Sequence, residues 1–128
     1  MYTIADFVIK IKNAARAGRQ VVTMPYSSAT AEIGAILVKE GFLKSLKEET
    51  ANNKKVIVAT LQYEKRIPAV SDVAILSKPS HHVYMKANRI GALRRSLGVE
   101  VLSTNQGYMN AREAKKKGVG GELLFRIW

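Results

Sequence analysis

The sequence predicts an α+β fold of two small subdomains, and three observations carry the prediction. Apolar residues recur at helical spacing through the opening segments, and alternating β-branched runs dominate after Phe42. A polar, proline-broken stretch, "EKRIPA" at 64–69, separates two halves of different character and is the expected linker. The expected boundaries are 1–66 for an α-β-α-β-β subdomain and 67–128 for a small antiparallel sheet with a short helix.

Taking the elements in order, Thr3 with Asp6 resembles a capping box, and Ile4, Phe7, Val8, Ile11 and Ala15 then form one apolar stripe up to Gly18. "VVTM" reads as a strand stopped by Pro25. Ser27 or Ser28 caps a second helix, whose stripe is Ile33, Ile36 and Leu37 and whose end is Gly41. "FLKSLKEE" and "VIVATLQY" flank "TANNKK" as a hairpin. Beyond the linker, "AVSDVAIL" and "HHVYM" are strands around the turn "SKPS". "NRIGALRRSLG" reads as a helix capped by Asn88 and ended by Gly98, and "VEVLST" as a strand. Asn110 caps a helical turn over "AREAKKK", which Gly118 stops. In the closing strand, Leu123, Phe125 and Ile127 alternate with Glu122, Leu124 and Arg126.

Composition narrows the function. The chain has 128 residues, 47% of them hydrophobic, and a net charge of +11 from 21 Lys+Arg against 10 Asp+Glu. A folded chain this basic repels itself unless a polyanion offsets the charge. From residue 77 onward, Lys78, Lys86, Arg89, Arg94, Arg95, Arg112, Lys115, Lys116, Lys117 and Arg126 face only Glu100, Glu113 and Glu122. That local surplus suits a phosphate-facing surface. On the first helix, Lys10, Lys12 and Arg16 fall off the apolar stripe, which is the ordinary place for charge on a solvated face.

No cysteine is present, so no thiolate site or disulfide exists. The two histidines, His81 and His82, are adjacent, and on a strand they point to opposite faces, so they cannot share a metal. No Gly-x-Ser-x-Gly, His-Glu-x-x-His or Walker lysine occurs, and "GVGG" at 118–121 precedes a strand where a phosphate loop precedes a helix. Neither catalysis nor a cofactor is expected. The N-terminus does not read as a secretory signal, and apolar stretches such as "AILV" are far too short to span a membrane. The expected address is the cytoplasm.

"SKPS" and "STNQG" set hydroxyls and turn-formers at strand ends, where they can donate to phosphate or 2′-hydroxyl oxygens. Considered alone, ordinary turn chemistry explains them at least as well, and Tyr84 and Tyr108 are more often core or partly buried aromatics than base-stacking platforms.

At these residues the sequence resembles a known family. "SKPSHHVY", "SLGVEVLSTNQG" and "AREAKKKGVGGELL", with the opening "IADFVIKIKNA", are similar to the bacterial small-subunit ribosomal protein of the S-eight family, in order and over essentially the whole chain. The resemblance implies a ribosomal protein, monomeric off the ribosome, that binds the central domain of small-subunit RNA through its C-terminal subdomain and assists assembly. It also implies neighbouring small-subunit proteins as partners and, in some members, repression of the protein's own operon messenger. The family's recognition positions carry over onto Ser77, Lys78, Pro79, Tyr84, Lys86, Ser103, Thr104, Asn105, Gly107, Gly121 and Glu122. Glu122 is implied as a brace or polar contact. Here Asn105 and Gln106 replace the usual Ser and Lys, Lys78 a usual Arg, Ser80 a Gly, and His82 a basic residue. Ser103 and Thr104 are expected on an exposed loop, free to contact RNA without supporting the fold.

Overall fold

The computed structural model describes residues 2–90 and 98–128, which form two compact units, Tyr2–Asp72 and Val73–Trp128.

The first unit opens with helix α1 (Tyr2–Arg16), strand β1 (Val21–Pro25) and helix α2 (Ser28–Lys39), followed by β2 (Leu43–Ala51) and β3 (Lys54–Leu61). The predicted stripe is its core: Ile4, Phe7, Val8, Ile11 and Ala15 are buried, with Ala14 beside them. Thr3 lies inside α1, which already includes Tyr2, so it is not the expected cap. Ser27 does cap α2, accepting a hydrogen bond from the Thr30 amide at 3.1 Å. Both helices end as predicted, at Gly18 and Gly41, where the following amide bonds back to the carbonyl five residues earlier. The sheet order is β1-β3-β2, all antiparallel, and the β2–β3 hairpin turns through Asn52 and Asn53, both at positive φ. Close to this turn, Lys55 lies 4.4 Å above the Tyr26 ring and 3.1 Å from Glu48. The Glu48 hydrogen bond, then its charge, raise the Lys55 pKa.

The stretch expected as a linker is structured. Strands β4 (Tyr63–Glu64) and β5 (Ile67–Pro68) pair across Lys65 and Arg66, whose φ values are 51° and 68°. A two-residue turn with both centres left-handed normally advertises itself by Asn or Gly, and here it has neither, so the sequence hides it. On the helical side Lys12 and Arg16 pair with Asp72 at 3.2 and 3.5 Å, so the surface charge of α1 is in part internally balanced.

The second unit holds β6 (Val73–Ile75), β7 (Tyr84–Met85), α3 (Ala87–Ile90), β8 (Val99–Thr104), β9 (Gly107–Asn110), α4 (Ala111–Lys117) and β10 (Gly121–Ile127). "HHVYM" is a strand only in its last two of five residues, Tyr84 and Met85, and β9 is a strand for which the sequence reading has no counterpart. The sheet runs β6-β10-β8-β9, and β7 continues along the β10 edge that β6 begins. Asn110 caps α4 through the Glu113 amide at 2.8 Å. One face of the sheet carries Leu102, Met109 and Leu123, packed with Ala114 of α4. The strict alternation expected in β10 fails because a bulge lies between Leu123 and Phe125, and Leu123, Leu124 and Phe125 are consecutively buried. The helix predicted at 88–98 starts one residue early, so Asn88 is not its cap; the remainder, with Arg94 and Arg95, lies outside the described residues.

Candidate nucleic-acid interface

Antiparallel pairing places directly opposed residues on the same face of a sheet. In the second unit Tyr84 opposes Glu122, Glu122 opposes Ser103, and Ser103 opposes Tyr108. One row therefore crosses four strands: Tyr84, Glu122, Ser103, Tyr108. The adjacent row, Leu123, Leu102 and Met109, faces α4, so this row occupies the other face, away from the apolar cluster. Its exposure is graded: Tyr84 is 71% exposed, while Glu122, Ser103 and Tyr108 are half-buried. Residues distant in sequence thus form a shallow platform with an aromatic ring at each end and hydrogen-bonding groups between.

The Ser-Thr segment is not the exposed loop that the sequence suggested. Ser103 and Thr104 close β8, and only Asn105 and Gln106 form the turn. The Thr104 hydroxyl donates to the Gly107 carbonyl at 2.8 Å and accepts from the Gln106 amide at 3.1 Å. It is therefore engaged in holding the turn, which Gly107 completes at φ 107°. Asn105 and Gly107 are exposed at the tip. The two hydroxyls should separate on mutation. Ser103→Ala is expected to lower RNA affinity with an unchanged melting temperature, whereas Thr104→Ala should cost about 1 kcal/mol of stability by releasing the turn. Parallel thermal melts and binding titrations check this, and equal melting-temperature losses would count against the division.

The neighbouring loop is likewise braced from within. Ser77 is fully buried, at 0% exposure, and its hydroxyl accepts from the Val83 amide at 2.8 Å and donates to the Val83 carbonyl at 3.3 Å. It shapes the loop from inside and does not face solvent. Lys78 and His81 exchange backbone hydrogen bonds of 2.9 Å, leaving Lys78 and Pro79 exposed on the turn. Lys86 is exposed immediately beyond β7.

Gly121 and its neighbour Gly120 do more than turn the chain. A Cβ on Gly121 would stand 2.2 Å from the Ser103 carbonyl oxygen, and one on Gly120 would stand 2.4 Å from that of Met85. Their bareness lets β10 approach β7 and β8 closely enough to align the row.

Two members of this surface are not among the recognition positions that the resemblance supplies. Sequence favours a core role for Tyr108, and only the β8–β9 register shows that it shares the platform. His82 was considered as a metal ligand and as a departure from pattern; its Nδ1 lies 2.6 Å from Glu122 Oε2, and its ring centroid is 6.2 Å from that of Tyr84. Among the described residues no cluster of three or more His, Asp or Glu is placed to hold a metal ion. No described helix is long and apolar enough to cross a membrane.

The basic residues divide. Arg126 is committed to Glu100, with Nε 3.2 Å from its carboxylate. Lys115, Lys116 and Lys117 form the last turn of α4, where they complement the helix dipole, and α4 covers the face opposite the row. Lys78 and Lys86 are exposed on the two sides of Tyr84 in the chain, one on the turn before β7 and one just past its end.

Comparison with known proteins identifies the family. A family model described as ribosomal protein S8 matches residues 2–128. The chain is 38% identical over 126 residues to the small ribosomal subunit protein uS8 of Arthrobacter sp. (strain FB24), covering 98% of this chain and 96% of that one. It is 34% identical over 129 residues, the full length of both chains, to the protein of the same name from Bdellovibrio bacteriovorus. It is 32% identical over 128 residues to small ribosomal subunit protein uS8c of Angiopteris evecta, with 98% and 97% covered. Matched along nearly its entire length, the chain belongs to the ribosomal protein S8 family.

Proposed function

We propose that this chain is a structural constituent of the small ribosomal subunit that binds the central domain of small-subunit RNA and orders it during assembly. It is a ribosomal protein by family and not an enzyme. The observation that carries the RNA reading is the row Tyr84, Glu122, Ser103, Tyr108, open on one face of a sheet, with Lys78 and Lys86 exposed in the chain before and after Tyr84. An aromatic ring can stack on an unpaired base or ribose, a serine hydroxyl can exchange hydrogen bonds with a 2′-hydroxyl, and lysines neutralise phosphates. The residues that carry this contact are Tyr84, Ser103, Asn105, Lys78 and Lys86; Ser77, Thr104, Gly107 and Gly121 shape the surface that presents them.

Filter binding of the full chain to the central-domain helix tests the proposal. At ~150 mM salt, affinity is expected to exceed that for an unrelated duplex of equal length by about a hundredfold or more, since charge alone supplies only nonspecific binding. Equal affinity for the two RNAs would overturn it. Neighbouring small-subunit proteins are further partners under this reading, and the cytoplasmic ribosome is its setting. The same platform would accept a messenger segment that reproduces the helix, which sequencing of RNA recovered with the protein from ribosome-depleted lysate would detect.

A further inference from the structure

We propose that His82 is a positioning residue of the RNA-binding face, holding the Glu122 carboxylate and, when protonated, cancelling the negative charge that Glu122 presents to RNA. The inference rests on the reading of that face as the RNA surface and accounts for a carboxylate in the middle of it.

Glu122 stands between Tyr84 and Ser103 in the row, and its side chain is only 18% exposed. None of the other three row residues carries a positive charge. A carboxylate pressed against a polyanion loses water and meets repulsion, so it needs a partner that answers both costs. His82 supplies one. Its Nδ1 is 2.6 Å from Glu122 Oε2, and because a carboxylate only accepts, Nδ1 carries the hydrogen. The side chain is 44% exposed, so the imidazole remains accessible to solvent and to a ligand laid across the row.

Among the described residues, the titratable and charged groups around it are these. Glu122 lies on β10, and Tyr84 is two residues along the chain from His82, its ring inclined 33° to the imidazole. Tyr108 lies two strands beyond β10, and Lys78, His81 and Lys86 are exposed on the adjoining turn and past the end of β7. Glu122 is the ion-pair partner at contact distance. With the imidazole protonated, the pair is a charge-assisted hydrogen bond of net zero charge; with it neutral, the pair carries one negative charge toward RNA.

RNA adds negative potential around the imidazole and so favours its protonated form. Binding then takes up protons. Affinity is therefore greatest at acid pH, where the imidazole carries its charge, and falls as pH rises and that charge is lost. Lys and Arg stay charged through this interval and give no such dependence.

Titrating the full chain against the central-domain helix, at fixed salt, from ~pH 8 to ~pH 6 tests this, and the wild type should gain about threefold or more in affinity. His82→Gln should be flat at the wild-type alkaline level, His82→Arg flat and tight, and His81→Gln should keep the full rise. In a Glu122→Gln background, His82→Gln should change affinity at the acidic end by less than about twofold, because no carboxylate remains to be neutralised. A flat wild-type profile with specific RNA binding intact would overturn this inference and leave the RNA face standing. An equal loss on His82→Gln in both backgrounds would overturn the action through Glu122, and absence of specific binding at any pH would overturn both readings. Thermal melts of each variant register any loss of fold.

Discussion

Tyr84→Ala is expected to weaken binding to the central-domain RNA helix by about fivefold to a hundredfold, the range found for removing one base-stacking aromatic, while leaving the melting temperature essentially unchanged. The dissociation follows from exposure. At 71% exposed, the ring buries little of its surface in the free protein, so its loss removes almost nothing from the core. A large aromatic left in solvent at the end of a row of hydrogen-bonding groups is useful only to something that covers it. Tyr84→Phe separates the ring from its hydroxyl: retained affinity identifies stacking, whereas a loss equal to that of alanine identifies a hydrogen bond. Tyr108, half-buried at the far end of the row, offers a contrast, because its truncation should lower both affinity and stability. Filter binding and thermal melting on the same preparations read both quantities. If Tyr84→Ala binds the helix as tightly as the wild type, the row is not the interface.

The parts of this fold that could be read from sequence are those whose causes are local. Helix α1 announces itself through an apolar stripe and Gly18, α2 through Ser27, and the β2–β3 hairpin through two asparagines that accept positive φ. Asn110 and Gly118 bracket α4 in the same way. What escaped has causes elsewhere in the chain. The Lys65–Arg66 turn has no conformational signature of its own and is held by the pairing of Tyr63 with Pro68 and Glu64 with Ile67. The bulge in β10 arises from its register against β8, which no pattern within "ELLFRIW" encodes. The site behaves likewise. Resemblance supplied Tyr84, Ser103 and Glu122 as separate positions, but their meeting in one row depends on three strand registers spanning residues 84 to 122. The same registers bring in Tyr108, while packing withdraws Ser77 into the interior and the turn engages the Thr104 hydroxyl. Membership of a motif therefore did not distinguish the residues that face outward from those that hold them there.

The largest single effect on that row should come from a residue with no side chain. Gly121→Ala is expected to destabilise the second unit by about 3 kcal/mol, at the upper end of what overpacking costs, and to abolish specific RNA binding with it. The new Cβ would stand 2.2 Å from the Ser103 carbonyl oxygen, 2.9 Å from its carbon and 3.1 Å from the Thr104 Cα. All three are backbone atoms of β8, so no rotamer change relieves the contact; the strands must part. Parting them here breaks the Gly121–Thr104 and Glu122–Ser103 pairs and takes the middle of the platform out of line. Gly107→Ala provides the control. Nothing lies within 4 Å of its added Cβ, so only the backbone cost at φ 107° remains, about 1 kcal/mol. Thermal melts should therefore rank Gly121→Ala well below Gly107→Ala, with the wild type highest. Should the order reverse, conformational strain in the turn would outweigh strand spacing, and the close approach of β10 to β8 would not be what aligns Glu122 with Ser103.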